Sequence, residues 1–235
     1  MSWRTNRAVI LLRNLGRALG SDRLLGSLLG RRGYETRFQE ATLAAIRPDD
    51  VAWDVGTNVG LYSRTFSDIA GPSGKVFAYE PSPVNLRRLN EAVGSLVNVT
   101  VVPVALGEHE DVVIFEQGTD SLGATSRIVD KADGGSDRQV EVRLSSGDRL
   151  VSSGMVVSPN VIKIDTEGFE LEVLRGLRAT LGKKILRVLC IEMHFRLLRE
   201  RGLPNAPSDI EKLLVSTGFS LTWPDASHLV ANRLT

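Results

Sequence analysis

The segment Asp54-Val-Gly-Thr-Asn-Val-Gly60 constrains this chain more than any other. Before it runs a short apolar stretch, Val51 to Val55, with the length of a buried strand. After it, Val59, Tyr62, Phe66 and Ile69 recur at helical spacing. A second apolar strand, Lys75 to Tyr79, then ends in Glu80. A strand, a glycine turn, a helix and a second strand make a β-α-β unit, which favours a parallel sheet covered by helices. In such sheets ligands bind beyond the carboxyl ends of the strands, where this loop lies.

The residue types in the loop describe the ligand. Gly56 allows a sharp turn and a close backbone approach. Gly60 lets the next helix pack tightly, and Asp54 suits loop amides or a cationic amino group. Glu80, 20 residues beyond Gly60, is placed to accept both hydroxyls of a ribose. A dinucleotide site requires G-x-G-x-x-G to bring amides onto a pyrophosphate, and that three-glycine fingerprint is absent. A phosphate-free nucleoside carrying its own ammonium fits Asp54 and Asn58 better. S-adenosylmethionine is such a molecule. A nicotinamide oxidoreductase remains the alternative enzyme, and a non-catalytic interaction module using the N-terminal arm the alternative to an enzyme.

The rest of the chain alternates in the same way. Helices are expected over Glu35 to Ile46, Pro83 to Val93, Phe169 to Leu181 and from a Ser208 cap to Ser216. Strands are expected over Val99 to Val104, Val112 to Glu116, Gln139 to Leu144, Val161 to Ile164 and Arg187 to Met193. Phe219 to Trp223 and His228 to Asn232 read as a terminal antiparallel hairpin. The expected division is a helical arm or cap over residues 1–47 and one α/β domain over 48–235.

Composition sets the outer limits. With 235 residues, 42% hydrophobic and 24% charged, the chain suits one sizeable core. A net charge of +1 and 6% aromatic residues give neither the field nor the stacking pattern of a nucleic-acid binder. Residues 1–33 hold seven arginines and no lysine among spaced leucines, and Arg13 interrupts the one candidate secretory core. This amphipathic pattern suits a cap, a peripheral membrane contact or a homo-oligomer contact. The single Cys190, in an apolar run, reads as a buried reduced thiol, so a cytoplasmic setting is the default expectation.

Five blocks together carry a family resemblance. Asp54-Val-Gly-Thr-Asn-Val-Gly60, Tyr79-Glu-Pro-Ser-Pro83, Val104-Ala-Leu-Gly107, Ile162-Lys-Ile-Asp-Thr-Glu-Gly168 with Glu170, and Ile191-Glu-Met-His194 resemble the FkbM family of methyltransferases. The resemblance spans about Asp49 to Gly218. It implies a Rossmann-like methyltransferase fold, mostly parallel and doubly wound with a C-terminal antiparallel hairpin. It also implies O-methylation of a sugar or natural-product hydroxyl. It places S-adenosylmethionine at Asp54, Gly56, Asn58, Gly60 and Glu80, with Ser82 and Ala105 near the adenine.

Transfer to a hydroxyl needs positioning and removal of a proton. Asp165, Glu192 and His194 follow two apolar strands and are the expected catalytic residues, with His194 as general base. Asp165 and Glu192 are also hard ligands suited to magnesium or manganese. Glu170 is expected to favour the positive end of the following helix, Lys163 to form a buried pair, and His109 to be solvated. His228 is expected to be structural. The acceptor pocket is expected to draw on Gly118 to Thr125, the loop at 130–137, and Phe195 to Pro207.

Overall fold

A computed structural model describes residues 32–118, 127–129 and 137–234. The arm before Arg32, the segment 119–126 and nearly all of the loop 130–137 lie outside the described residues, with the expectations placed on them. In chain order the elements are α1 (Arg32–Ala45), β1 (Val51–Val55), α2 (Leu61–Ala70), β2 (Lys75–Tyr79), α3 (Pro83–Val93), β3 (Val99–Val102), β4 (Ala105–Leu106), β5 (Asp111–Glu116) and β6 (Arg127–Val129). Next come β7 (Gln139–Ser145), α4 (Gly147–Ser152), β8 (Val161–Ile164), α5 (Glu170–Arg175), α6 (Arg178–Leu181), β9 (Val188–Glu192), α7 (Phe195–Glu200), α8 (Ala206–Ser216), β10 (Phe219–Thr222) and β11 (His228–Arg233).

Seven strands form the main sheet in the order β10-β11-β9-β8-β1-β2-β3. β9, β8, β1, β2 and β3 run parallel, and β10 and β11 pair antiparallel at one edge. This is the Rossmann-like arrangement expected from the sequence. The central strands are buried on both faces, which is why Val51 to Val55 and Val161 to Ile164 are apolar apart from Asp54 and Lys163, which pair with each other. β1 and β8 are neighbours although far apart in sequence. The chain leaves β1 toward β2 on one side and returns to β8 on the other, which opens a crevice at their carboxyl ends.

The middle of the chain builds a second sheet, ordered β4-β7-β5-β6. Pro103 has no N–H to continue the β3 ladder, so the expected strand to Val104 stops at Val102. The chain re-enters pairing as β4, against β7. Ala105, Phe115, Val142 and Leu144 bury one face of this sheet on Phe169.

Other boundaries also moved. The helix expected from Phe169 to Leu181 divides at Gly176, where a Cβ would sit 1.8 Å from the Gly107 carbonyl oxygen. Helix α8 starts at Ala206 with Asn205 at its cap, not at Ser208, because Pro207 fits the first turn. The described part of the N-terminal arm, α1, packs into the core: Phe38 lies with Cys190 and Val230. Cys190 is buried as expected, and burial pushes its thiol up to about 11. Arg187 makes a bidentate pair with Asp50, 2.9 and 2.7 Å, which ties the start of β9 to the turn before β1.

Candidate active site

A cavity of about 270 Å³ opens at the carboxyl ends of β1, β2, β8 and β9. Val55, Gly56, Asn58, Glu80 and Ala105 line one part; Asp165, Glu167 and Glu192 line another. Phe115 and Ile128 of the second sheet, with Phe169, add apolar wall. These aromatic and aliphatic contributions were not singled out from sequence. Their only signal was strand-like alternation through a region with no apparent partner.

The loop after β1 is shaped by three left-handed residues, Gly56 at φ 78°, Asn58 at φ 55° and Gly60 at φ 88°. They delay the helix, so α2 begins at Leu61, after the Val59 that opens the helical spacing. At Gly56 a Cβ would meet the Asp165 carbonyl oxygen at 1.8 Å, so only glycine lets β1 and β8 release their loops side by side. Glu80 is buried and holds the loop closed. Its Oε2 accepts from the Asn58 N–H and its Oε1 from the Ser82 N–H, both at 2.8 Å. Burial pushes the Glu80 carboxyl up to about 7, although these N–H groups pull it down.

Asp54, Gly60 and Ser82 do not line the cavity. Asp54 is fully buried, accepts from Ser63 Oγ at 2.7 Å and lies 3.4 Å from Lys163 Nζ. Gly60 brings the α2 end onto Leu89 and Val93, where a Cβ would sit 2.7 and 3.1 Å from their side chains. Ser82 caps α3 by accepting from the Asn85 N–H. All three act from behind the wall, by fixing the segments that carry Gly56, Asn58 and Glu80.

The opposite end is a carboxylate cluster around one imidazole. His194 Nδ1 lies 2.8 Å from Glu170 Oε1. Its Nε2 lies 3.3 Å from Glu167, 3.7 Å from Asp165 and 3.9 Å from Glu192. The sequence expected Asp165, Glu192 and His194 to converge, and they do. Glu170 stands in the first turn of α5 as expected, and its fully buried carboxyl also meets His194 while accepting from the Gly168 N–H at 2.8 Å. Burial alone would lower the His194 pKa, but Glu167, Glu170 and Asp165 carry it well above the ordinary value.

Lys163 forms the buried pair expected of it, 3.4 Å from Asp54 and 3.3 Å from Asp165. It joins the loop end of the site to the cluster end. Glu192 has a second imidazole beside it: His228 Nε2 lies 3.5 Å from Oε2. Burial would raise the Glu192 carboxyl, but His228 and His194 hold it down at about 2. His109 is exposed, as expected.

The family model described as the methyltransferase FkbM domain matches residues 54–221, the span holding both ends of this cavity. The chain belongs to the FkbM methyltransferase family. One relative, the hexuronic acid methyltransferase AglP of Haloferax volcanii, is 33% identical over 174 residues, which are 73% of this chain and 64% of that protein. Another, the 2-O-methyltransferase NoeI of Sinorhizobium fredii, is 26% identical over 153 residues, 58% of this chain and 61% of that protein. The FkbM chain thus spans somewhat over three fifths of the length of these curated relatives. The crystal structure of methyltransferase FkbM from Methylobacillus flagellatus KT superimposes with a TM-score of 0.52 at 16% identity, covering 82% of this chain and 50% of that one. At that identity the likeness shows the fold. Among the described residues no helix is long and apolar enough to cross a membrane.

Proposed function

We propose that this FkbM protein transfers the methyl group of S-adenosylmethionine to a hydroxyl of a carbohydrate. One observation carries the reading: a single cavity is lined by a buried acid and a glycine turn at one end and by Asp165, Glu167 and Glu192 at the other, with His194 behind those carboxylates rather than on the wall. The hexuronic acid in one relative's name and the 2-O transfer in the other's favour a sugar oxygen as acceptor.

The residues present fit the donor. Asn58 Oδ1 is buried with no hydrogen-bond partner and is on a residue of the wall, so it suits an amino group. Glu80 accepts from the Asn58 and Ser82 N–H groups and from the Asn85 side chain, and its two oxygens keep acceptor capacity for a ribose hydroxyl. Gly56 and Asn58 line the same end, and Ala105 with the neighbouring apolar wall suits an adenine. Asp54, Gly60 and Ser82 hold this end in shape.

When bound, S-adenosylmethionine supplies an electrophilic methyl group on a sulfonium. Asp165 and Glu192, on the cavity wall, hold the acceptor hydroxyl and restrict its orientation. His194 is anchored at Nδ1 by Glu170 and turns Nε2 toward Glu167, Asp165 and Glu192; in its deprotonated form Nε2 takes the hydroxyl proton as the oxygen attacks. The apolar side formed by Phe115, Ile128 and Phe169 keeps water from competing for the methyl group.

A divalent cation at the cluster is a second reading. One ligand atom each from Asp165, Glu167 and His194 lie within 4.8 Å of one another. This donor set, two carboxylates and an imidazole, suits magnesium or manganese. It differs from the Asp165–Glu192 pair expected from sequence, since one oxygen of Glu192 faces His228.

The test is transfer of isotope-labelled methyl from S-adenosylmethionine to a panel of glycans with and without uronic acids. Labelled glycan from at least one member supports the reading. Calorimetry showing no S-adenosylmethionine binding would sink it. Calorimetric titration with magnesium and manganese, and assays in chelator, decide the metal: no heat and full activity in chelator remove it.

A further inference from the structure

We propose that His228 and Asp225, on the C-terminal hairpin, are positioning residues that hold Glu192 for methyl transfer. The proposal rests on the transferase reading above. His228 and Glu192 are directly opposed in the β11–β9 register, so their side chains leave the sheet on the same face. His228 Nε2 lies 3.5 Å from Glu192 Oε2, while the other oxygen of Glu192 lies 3.9 Å from His194 Nε2. The wall carboxylate is therefore flanked by one imidazole at each oxygen.

The outer imidazole is itself fixed from several sides. Its Nδ1 lies 2.7 Å from Asp225 Oδ2. Asp225 is in turn tied to the turn, its Oδ1 accepting from the Ser227 and His228 N–H groups at 2.8 and 3.0 Å. The Phe38 ring of α1 stacks on the His228 ring with centroids 4.0 Å apart. Side-chain exposure is 8% for His228 and 3% for Asp225. The next three residues of β11, Leu229, Val230 and Ala231, are buried and apolar. An apolar side chain at 228 would satisfy the packing alone. Burying an ionisable pair there is costly unless its hydrogen bonds are made, and the half-buried partner it reaches is Glu192.

Asp225 orients the ring so that Nε2–H points at Glu192, and Glu192 is then held at the angle that receives the acceptor hydroxyl. Loss of the clamp leaves the carboxylate in place but free to rotate. Misplacement of a positioning group by about 1 Å costs up to roughly a hundredfold in rate.

The experiment compares His228→Asn with His228→Gln in steady-state transfer to a glycan that the wild type methylates. The asparagine amide reaches the place of Nδ1 and keeps Asp225; the glutamine amide reaches the place of Nε2 and keeps Glu192. His228→Asn should lower kcat about tenfold or more with S-adenosylhomocysteine affinity unchanged, and His228→Gln should recover most of that loss. In a Glu192→Gln background His228→Asn should cost little further. Asp225→Asn should lower kcat in the same direction, which gives a second route if His228→Asn folds poorly. Equal losses in the two His228 variants, or a full loss persisting in the Glu192→Gln background, would overturn the positioning role while leaving the transferase standing. A wild type that binds S-adenosylmethionine but methylates no glycan would overturn the transferase reading and this role with it.

Discussion

Lys163→Met is the perturbation that most directly probes how the two ends of the site are joined. Lys163 Nζ sits between Asp54 Oδ1 at 3.4 Å and Asp165 Oδ2 at 3.3 Å, with 3% of the Lys163 side chain and none of Asp54 exposed. Burial would push the ammonium down, but Asp165 and Asp54 outweigh it and raise its pKa above the ordinary lysine value. Removing the cation leaves Asp54 buried beside a second carboxylate. Losing one partner of a buried pair costs about 3–5 kcal/mol, and partly exposed Asp165 can regain water, so the lower end, near 3 kcal/mol, applies. That is a large share of the roughly 5–15 kcal/mol that holds a domain folded. Urea unfolding at neutral pH should show the loss as a lower midpoint with an unchanged slope. Lys163→Met with Asp54→Asn should regain part of it, since no buried charge then lacks a partner at that end. A deficit under about 1 kcal/mol, the range of an exposed pair, would refute the reasoning.

Three further outcomes follow from single residues. Gly56→Ala should lose well over the roughly 1–2 kcal/mol of left-handed strain, because its Cβ also meets Asp165; Gly154→Ala, at φ 75° with open space, should lose only the strain, and equal losses by denaturation would contradict the clash. The Glu80 pKa of about 7 lies above its ordinary 4.5, so the contribution of Glu80 to apo stability should be fully present below 4.5 and lost as pH rises through 7. Glu80→Gln should remove that slope, shifting the stability gap toward the variant by about 2–3 kcal/mol between roughly pH 5 and pH 8 while weakening S-adenosylmethionine binding; a pH-independent gap would count against it. His194→Ala should cut turnover at least about tenfold with cofactor affinity kept, and because its carboxylate neighbours raise the His194 pKa well above the ordinary value, wild-type kcat should still be climbing as pH rises above neutrality; a flat profile removes His194 as the base.

The part of the site legible in the sequence is the part set by adjacent elements. In a β-α-β unit the end of the second strand must return beside the end of the first, so spacing alone brought Glu80 to the same end of the site as the glycine loop; its 2.8 Å contact with the Asn58 N–H was not foreseen. Glu192 and His194, two residues apart after one strand, likewise had to come close to each other. Asp165 joined them because β8 and β9 are neighbours, a step that alternation of strands and helices already suggested. Pro207 was a readable start signal for α8 that Ser208 obscured.

What escaped was set by register and burial, which no local window contains. Glu170 has the residue type and position of an acid favouring a helix start, and stands there, but only its burial against His194 shows that it anchors the ring as well. Phe115 and Ile128 became cavity wall because β5 and β6 pair with each other, across a stretch whose partners could not be chosen from pattern alone. His228 is the clearest case. As a lone histidine in a terminal hairpin it carries no functional signal, since a hairpin fixes pairing only between its own two strands. The antiparallel docking of β11 on β9 sets His228 opposite Glu192, 36 residues away. A one-residue slip of that register would turn His228 to the other face and remove the contact, so whatever His228 does for Glu192 is specified by the core residues that lock the register: Leu229 and Ala231 on one side of β11, and Val230 on the other.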